Sequence, residues 1–365
     1  MDRFVYTASP SRILFGPDSI DQLPAELDRL GVKRALVMCT PNQRDQAQGI
    51  ADRLPGRVAA IFDEAVMHVP IEVARKARAL ASELNADCAV AIGGGSTVGL
   101  GKAIALEAEL PIIAVPTTYA GSEVTPIFGI TEGGLKKTGR DARVLPRVVI
   151  YDPKLTLSLP IGLTVTSAIN AIAHAAEGLY AHDGNPVIAL MAEEGIRACA
   201  ASLQPLGENP ADLSARSLAL YGAWLCGTVL GAVSMGLHHK LCHTLGGTFD
   251  LPHAEVHTVI LPHALRYNAG AAPEAMTRIA RALGVVDAPM GIFELARMHG
   301  APVSLKAIGM PAKGLDQAAE LAVSNQYPNP RQLERSALQS LLNSAFDGAA
   351  PTPLAQEAAR CWPNS

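Results

Sequence analysis

The chain has 365 residues, of which 49% are hydrophobic and 18% are charged. That length exceeds what a single hydrophobic core fills, and the composition excludes a mainly disordered or collagen-like chain, so we expect a globular protein with two domains. The formal net charge of −4 excludes a strongly basic surface. We therefore expect neither nucleic acid nor a membrane as a partner.

The cysteines and the first residues both favour a cytoplasmic protein. Six cysteines are spread singly with no C-x-x-C pair, which indicates reduced thiols rather than disulfides or a zinc site. The sequence opens without a basic stretch followed by an apolar stretch, so we expect no secretory signal.

Residues 1–155 alternate short apolar runs with helical patterns, which is typical of βα units that feed a parallel sheet. The apolar runs are rich in Val, Ile, Ala and Leu, as strands buried on both faces are. They lie at 34–39, 58–62, 88–92, 112–115 and 148–151, and the run at 12–16 predicts an added edge strand. The clearest helical period lies at 71–84. The pattern predicts an α/β Rossmann-like domain with a parallel sheet.

Alanine-rich helical stretches fill residues 156–348, which predicts an all-α second domain followed by a loosely attached tail at 349–365. The segment 217–237 carries no charge and is long enough to span a bilayer. Its four glycines and the histidines that follow it favour a buried helix in the helical core instead.

A glycine-rich turn, Gly93, Gly94 and Gly95 followed by Ser96, ends the predicted strand at 88–92 and opens a helix. Consecutive glycines let the backbone approach a diphosphate, and the N–H groups at a helix start favour its negative charge. The turn is not the G-x-G-x-x-G fingerprint, so a simple tight turn is the alternative interpretation.

A second loop follows the next predicted strand and carries Thr117, Thr118, Tyr119 and Ser122. Hydroxyls at the carboxyl end of a parallel strand lie where doubly wound sheets hold ligands. A helix N-cap with Glu123 behind it explains the same residues. Both interpretations can hold together.

Histidines are concentrated, with six of the ten lying within residues 238–263. His239 and His243 are four residues apart on a helix, and so are Asn170 and His174, so each pair shares one helix face. Together with His253, these pairs predict a polar site rather than isolated core histidines. We interpret His257, His263, His182 and His299 as surface or core residues.

A basic cluster lies near the expected domain junction and consists of Lys136, Lys137, Arg140, Arg143 and Arg147. A solvated loop is the usual reason for such a run of charges. An anionic ligand is the alternative, because the cluster falls between the two predicted domains.

Several motifs resemble the iron-containing alcohol dehydrogenase superfamily. They are Gly93 to Ser96 with Lys102, Thr117 and Thr118 with Gly121, Ser122 and Glu123, and Gly236-x-x-His239-x-x-x-His243 with Pro252 and His253. Within that superfamily, Lys137 to Asp141 and Tyr151-Asp152-Pro153 look like the maleylacetate reductase branch. The resemblance implies a dehydroquinate synthase-like fold, with a nucleotide-binding α/β domain and a helical catalytic domain.

The resemblance also implies an activity and its residues. The activity is an NAD(P)H-dependent reduction of the C=C bond of maleylacetate, a dicarboxylate, to 3-oxoadipate in aromatic compound degradation, by a homodimer. It assigns catalysis to His243, His174, His239, His253 and Asn170. It assigns cofactor binding to Gly93, Gly94, Gly95, Ser96, Thr117, Thr118, Ser122, Thr40 and Arg147, and substrate binding to Lys136, Lys137, Arg140 and Tyr119.

Three positions depart from the pattern of the superfamily. Metal-bearing relatives carry an aspartate in place of Asn170, which holds iron or zinc together with the equivalents of His174, His239 and His253. Loss of that charge leads us to expect no metal, and these four residues as ligands if one binds. An aspartate position near the glycine turn is Gly99 here. Thr40 stands where NADH-preferring relatives carry an aspartate, so we expect NADH with NADPH also accepted.

Two other functions fit the same residues. A metal-dependent alcohol or polyol dehydrogenase would share the fold, and oxidation of simple alcohols with added iron or zinc would identify it. A nucleotide-binding protein without catalysis is the second alternative, and the retained histidines argue against it.

Overall fold

The computed structural model describes residues 4–8, 11–133, 135–324 and 327–352, without the side chain of Lys136. Within them the chain divides into two units. The sheet unit comprises Thr7–Leu159 and Asn209–Ala232. The helical unit comprises residues 4–6, Pro160–Glu208 and the described residues from Val233 onward. Most of the predicted tail lies in residues 353–365, outside the described residues.

A parallel sheet forms the centre of the sheet unit. Its strands are β1 (Arg12–Phe15), β2 (Ala35–Met38), β3 (Val58–Phe62), β4 (Cys88–Gly93), β5 (Ile112–Pro116) and β8 (Val148–Tyr151), in the order β1-β8-β5-β4-β2-β3. Each of these pairings is parallel. Strands β2, β4, β5 and β8 are buried throughout, as their apolar runs predict.

Helices cover this sheet and connect its strands. They are α1 (Leu23–Arg29), α2 (Arg44–Ala51), α3 (Ile71–Glu83) and α4 (Gly95–Ala108). In α3 the buried positions Ile71, Ala74, Ala77 and Ala81 recur with the helical period, so one apolar face packs inward. The predicted strands and this helix agree with the structure to within two residues at each end.

The basic cluster lies partly on an antiparallel hairpin that the sequence analysis did not predict. Strands β6 (Ile127–Glu132) and β7 (Leu135–Arg140) pair with each other and not with the main sheet. Lys137 and Arg140 therefore extend from a strand rather than a loop. The prediction failed because β6 is only half-buried and β7 is mostly exposed, so the ribbon lacks the continuous buried apolar runs of the main sheet.

One long apolar helix, α7 (Leu213–Ala232), belongs to the sheet unit. The sequence analysis expected it in the helical core. Small residues explain its place: a Cβ at Gly121 would lie 2.9 Å from the Cα of Gly227, so two glycines permit the loop after β5 and the helix to touch. No single described helix is long and apolar enough to cross a bilayer, although α7 and the next helix along the chain pass that test as a bent pair.

The helical unit is built around α5 (Ile161–Gly178), whose residues are buried from Thr164 to its end. Its other helices are α6 (Pro186–Glu208), α8 (Leu237–Phe249), α9 (His253–Asn268), α10 (Pro273–Leu283), α11 (Ala288–Met298), α12 (Leu315–Ser324) and α13 (Arg335–Asp347). Helix α5 packs against α6 and α9, and α9 packs against α8. Helices α8, α9, α12 and α13 share one apolar core. The predicted all-α second region is thus confirmed.

Candidate functional sites

The glycine turn lies at the junction between β4 and α4. Gly93 has a φ of +151°, and a Cβ there would lie 2.5 Å from Thr97 Oγ1 and 2.8 Å from Gln43 Oε1, so only glycine fits. Helix α4 begins at Gly95, which is exposed. The first-turn N–H groups of this 14-residue helix therefore form an anion site that a diphosphate can approach.

Strand order places this turn at the point where doubly wound sheets hold nucleotides. Strand β2 pairs with β3 on one side and with β4 on the other. Successive strands are therefore added on opposite sides of β2, and the switch point lies between β2 and β4. Thr40 follows the carboxyl end of β2, and Gly93 ends β4. The carboxyl end of β5 leads to Thr117, which is buried. These predicted cofactor residues thus lie at one edge of the sheet.

Gln43 links these loops, and sequence reasoning missed it. Its side-chain amide donates to Thr117 Oγ1 at 2.7 Å, and its Oε1 accepts from the Thr40 hydroxyl at 3.1 Å. Thr118 packs on the turn, because a Cβ at Gly94 would lie 2.9 Å from its Cγ2 and Oγ1. The only sign of this contact in the sequence is that a polar residue stands three positions after Thr40.

Lys102 anchors the loop that carries Ser122. The Lys102 ammonium is fully buried and donates to the carbonyls of Ser122 and Ile127, both at 2.7 Å, and to Thr125 Oγ1 at 2.9 Å. Burial lowers the pKa of Lys102 to about 7, although nearby Glu123 acts in the opposite direction. Glu123 in turn accepts from the Tyr151 hydroxyl at 2.8 Å. Ser122 is thus held by the protein through its carbonyl.

The histidine cluster of the helical unit takes its side chains from three helices. Helix α5 supplies Asn170 and His174, α8 supplies His239 and His243, and His253 begins α9. Asn170 Nδ2 lies 3.4 Å from His174 Nε2, and His174 Nδ1 lies 2.8 Å from His239 Nε2. The ring centroids of His239 and His243 are 6.0 Å apart. The structure therefore brings together the five residues that the sequence analysis assigned to catalysis.

A buried carboxylate, Glu177, lies behind this cluster. Its Oε2 is 2.7 Å from His239 Nδ1, and it also accepts from the backbone N–H groups of Gly236, His238 and His239. Burial alone raises its pKa, but the hydrogen bond and the charge of His239 outweigh burial and lower the pKa to about 2. Glu177 is therefore ionised. The spacing from His174 indicated its helix face in the sequence, but not its contact.

Two further histidines complete the cluster. His257, read from the sequence as a surface or core residue, has its ring centroid 4.4 Å from His253 and 5.0 Å from His239. Its Nδ1 lies 2.9 Å from His238 Nε2. Burial lowers the pKa of His238 to about 3 and that of His257 well below its usual range. Both rings are therefore neutral, and they lie on the buried side of the cluster.

The described residues contain one group of three His, Cys, Asp or Glu side chains whose ligand atoms lie within 4.8 Å of one another. It consists of His238, Cys242 and His257, all buried. Burial raises the pKa of the Cys242 thiol well above its usual value. His257 Nε2 is buried without a hydrogen-bond partner among the described residues, so these three side chains are a second group that could hold a metal ion.

Most of the predicted substrate residues have protein partners in the sheet unit. Tyr119 is fully buried, with its hydroxyl 3.1 Å from Arg216 Nη1. Lys137 pairs with Glu132 at 2.7 Å. Arg140 donates to the carbonyls of Leu230 and Gly231 at the end of α7. The Lys136 side chain lies outside the described residues. The buried Tyr119 ring corrects the expectation that it faces a substrate.

Arg147 lies at the opposite end of the sheet from the glycine turn. It immediately precedes β8, and its backbone N–H donates to the carbonyl of Ile112 at the start of β5. The glycine turn and Thr117 follow the carboxyl ends of β4 and β5. They are separated from the level of Arg147 by about 15 Å, measured along the strands. This position does not favour a contact of Arg147 with the cofactor, which stays a prediction.

Comparison with known proteins identifies the family. The family model described as iron-containing alcohol dehydrogenase matches residues 10–153, and the model of the C-terminal part of the Fe-containing alcohol dehydrogenase family matches residues 164–346. The chain belongs to the iron-containing alcohol dehydrogenase family. This NAD(P)-dependent family accounts for both the glycine turn and the histidine cluster.

Individual relatives have a more specific activity. The maleylacetate reductase of Burkholderia cepacia is 65% identical over 352 residues, covering 96% of this chain and 100% of that protein. The crystal structure of maleylacetate reductase from Agrobacterium tumefaciens matches with a TM-score of 0.93 at 53% identity, over 96% of this chain and 100% of that one. The enzyme from Rhizobium sp. strain MTP-10005 matches with a TM-score of 0.92 at 52% identity, with the same coverage.

The family implies a divalent ion, and Asn170, His174, His239 and His253 are the residues that would hold it. In the structure two of these side chains contact each other directly. His174 Nδ1 and His239 Nε2 lie 2.8 Å apart in a direct hydrogen bond, whereas two imidazoles on one tetrahedral zinc ion have nitrogens about 3.3 Å apart. Asn170 is also neutral, so no ligand offsets the charge of the ion.

Proposed function

We propose that this chain reduces the C=C bond of maleylacetate to give 3-oxoadipate, with NADH as hydride donor. The observation that carries the proposal is the 65% identity with the Burkholderia cepacia enzyme along its whole length. The glycine turn and the histidine cluster fit hydride transfer to many carbonyl compounds, so the substrate assignment depends on this relationship.

Charge development explains how the histidines take part. Hydride from the nicotinamide adds to the carbon β to the ketone, and the electron pair of the C=C bond moves to leave an enolate. His243 is exposed and His253 is half-buried, so both rings can offer N–H groups to the ketone oxygen. Such donors stabilise the enolate as it forms and are worth about 3 kcal/mol each. The α carbon then takes one proton from a histidine or a water molecule.

A conjugated ketone needs less polarisation than a simple carbonyl, since the negative charge spreads over the enolate. We infer that neutral imidazoles suffice and that the reaction needs no resident metal. The short contact between His174 and His239 supports this inference. If an ion binds, Asn170, His174, His239 and His253 remain the candidate ligands.

The cofactor assignment rests on the loops of the sheet unit. Gly93, Gly94, Gly95 and Ser96 would bind the diphosphate, with Thr117, Thr118 and Ser122 beside them. The residues from Thr40 to Gln43 after β2 contain no carboxylate, so nothing there repels the 2′-phosphate of NADPH. We expect NADH and NADPH both to be used.

The remaining assignments follow from the same proposal. Residues 1–155 supply the NAD(P)-binding domain, to which the structure adds α7, and the rest of 156–348 supplies the catalytic helical domain. Lys137, Arg140 and Lys136 stay candidates for a substrate carboxylate, the first two only if they exchange their present partners. We expect a cytoplasmic homodimer. The described cysteines form no disulfide and are buried, as reduced thiols would be. Light scattering on the purified protein would measure the assembly.

Turnover of maleylacetate tests the function directly. The purified chain should oxidise NADH when maleylacetate is added, and deuterium from labelled NADH should appear at the carbon β to the ketone of 3-oxoadipate. Simple alcohols with NAD⁺ and added Fe²⁺ or Zn²⁺ serve as the comparison. Alcohol oxidation without maleylacetate reduction would identify a metal-dependent alcohol dehydrogenase, and nucleotide binding without either reaction would identify a non-catalytic protein.

A further inference from the structure

Loops that follow β2, β5 and β3 pack on the start of helix α4, and each meets a different glycine. A Cβ at Gly93 would lie 2.8 Å from the side chain of Gln43, which follows β2. A Cβ at Gly94 would lie 2.9 Å from the side chain of Thr118, which follows β5. The loop after β3 meets the helix at Gly99 in the same way. Each missing side chain therefore leaves room for one loop beside the predicted cofactor site.

Val69, in the loop after β3, fills the space at Gly99. A Cβ at Gly99 would lie 2.8 Å from Val69 Cγ2, well inside the roughly 3.5 Å at which two carbon atoms pack. Gly99 comes four residues after Gly95, so the two share a helix face and lie about 6 Å apart along the axis. Both positions are at least partly exposed. Val69 therefore packs on α4 one turn beyond the predicted diphosphate site.

The backbone of Val69 adopts a conformation that valine rarely takes. Its φ is +47°, and that of His68 before it is +64°. This left-handed region is unfavourable for a β-branched residue, because the Cβ lies too close to the following carbonyl oxygen. Strained residues persist where the surrounding structure holds them, and they cluster at ligand sites. The fold thus keeps the Val69 side chain on α4 despite the backbone strain.

Thr131, on strand β6 of the hairpin, holds this strained pair. Its backbone N–H donates to the carbonyl of Val69 at 3.0 Å, and its Oγ1 donates to the carbonyl of His68 at 2.8 Å. Pro70, the next residue of the loop, forms an isolated parallel bridge with Thr131. One residue of the hairpin therefore fixes the carbonyls of both left-handed residues.

We propose that Val69 is a positioning residue for the cofactor. Packed on Gly99 and held by Thr131, it sets the distance between the loop after β3 and helix α4, and with it the width of the cofactor site one turn beyond the diphosphate. The inference rests on the proposed function, which supplies the cofactor. It also explains why glycine stands at 99, where the superfamily pattern has an aspartate, because a larger side chain would push the loop outward.

Substitutions at the two positions should compensate each other. Gly99→Ala forces the loop outward, so the Kd for NADH, measured by fluorescence titration, should rise about 10-fold. Val69→Ala lets the loop approach α4 too closely, and the Kd should rise about threefold. In the double variant the methyl group added at 99 occupies the space that the valine methyl groups leave, so the Kd should return to within about twofold of wild type.

This comparison separates positioning from a merely structural role. With saturating NADH and maleylacetate, kcat should stay within about twofold of wild type in all three variants. A general structural defect would lower kcat together with the affinity, and that result would contradict the proposal. A double variant whose Kd rises about 30-fold, the product of the two single effects, would show that the positions act independently and would overturn it. A wild-type Kd in folded Gly99→Ala would do the same.

Thr131→Val tests the support from the hairpin. It removes the hydroxyl that donates to His68 but keeps the backbone bonds and the shape of the side chain, so the Kd for NADH should rise about threefold. Thr277→Val is the matched control, because Thr277 is an exposed threonine whose hydroxyl also donates to a backbone carbonyl, that of Pro273, in α10 of the helical unit. Its Kd should equal that of wild type. Equal affinities of the two variants for NADH would contradict the proposal.

The titrations use NADH alone, so they do not depend on the substrate. Wild-type protein that binds NADH but reduces no maleylacetate would overturn the proposed reaction, and a compensated double variant would still support the role of Val69. Wild-type protein that reduces maleylacetate, with no compensation between the two positions, would overturn only the role of Val69.

Discussion

The glycine turn and the histidine cluster differ in what they are made of. The turn uses backbone groups that are consecutive in sequence, from Gly93 to Ser96, and its shape follows from the absence of Cβ atoms. The cluster uses side chains from α5, α8 and α9, joined by direct hydrogen bonds. A turn of this kind tolerates few substitutions but needs little support. The cluster also contains a buried carboxylate, Glu177, which contacts His239 and accepts from the backbone N–H of His238.

The largest expected effect separates chemistry in the cluster from binding at the turn. His243→Ala should lower kcat by about 100-fold, because the exposed ring is placed to donate to the forming enolate, while the KM for NADH stays within about twofold. His182→Ala, at an exposed histidine that the structure places outside the cluster, is the control. Unchanged turnover of His243→Ala in steady-state assays would remove this residue from the mechanism.

The converse prediction concerns the turn. Gly94→Ala places a Cβ 2.9 Å from the Thr118 side chain, so the two loops must separate. We expect the KM for NADH to rise about 10-fold with kcat nearly unchanged. Gly49→Ala, in α2 with open space around it, should behave as wild type. Titration of NADH by fluorescence measures the affinity, and a kcat loss without a change in affinity would contradict the division of roles.

The preference between NADH and NADPH is a second test of the predicted cofactor site. Thr40→Asp introduces a carboxylate after β2, which should repel the 2′-phosphate and raise the KM for NADPH by about 10-fold, with NADH affected little. Wild-type enzyme should use both cofactors. A several-thousandfold preference of the wild-type enzyme for NADH in parallel kinetics would show that another feature already excludes NADPH.

Metal removal tests the cluster without a mutation. Because His174 and His239 are hydrogen-bonded to each other, we expect well under one metal per chain by elemental analysis. Activity should survive dialysis against EDTA. Stoichiometric iron or zinc, together with activity that a chelator removes and the same ion restores, would make Asn170, His174, His239 and His253 ligands.

The smallest expected effect is that of Arg147→Ala. Arg147 lies at the amino end of the sheet, so its side chain should contribute to neither the turn nor the cluster. Both KM values and kcat should stay within about twofold of wild type. A KM for NADH that rises 10-fold or more would restore the cofactor contact inferred from the resemblance.

Sequence reasoning predicted what is local and periodic. Buried strands such as β4 have continuous apolar runs, and the i,i+4 spacing of Asn170 with His174 places both on one face of α5, so the structure agrees with both predictions. Contacts between distant segments left no such trace. The link from Gln43 to Thr117, the bond from His239 to Glu177 and the burial of Tyr119 depend on tertiary packing, which spacing along one element does not encode.

At Arg147 the resemblance and the direction of the strands disagree. Its basic charge and its place in the resemblance suggested a phosphate contact, but the direction of β8 in a parallel sheet puts the residue before a strand at the wrong edge. The rule that ligands meet the carboxyl ends of strands agrees with the position of Thr117 directly after β5, and its contact with the cofactor stays a prediction. Position relative to the strand was therefore more informative than charge.

Helix α7 has a consequence for attempts to cut the protein into parts. Because Asn209–Ala232 returns to the sheet unit, residues 160–208 form an insertion within the sequence of that unit rather than the start of a separate tail. A fragment that stops at residue 159 would leave Gly121 and its loop without the helix that covers them. Circular permutation or grafting of 209–232 onto such a fragment, rather than simple truncation, is the route to an isolated nucleotide-binding half.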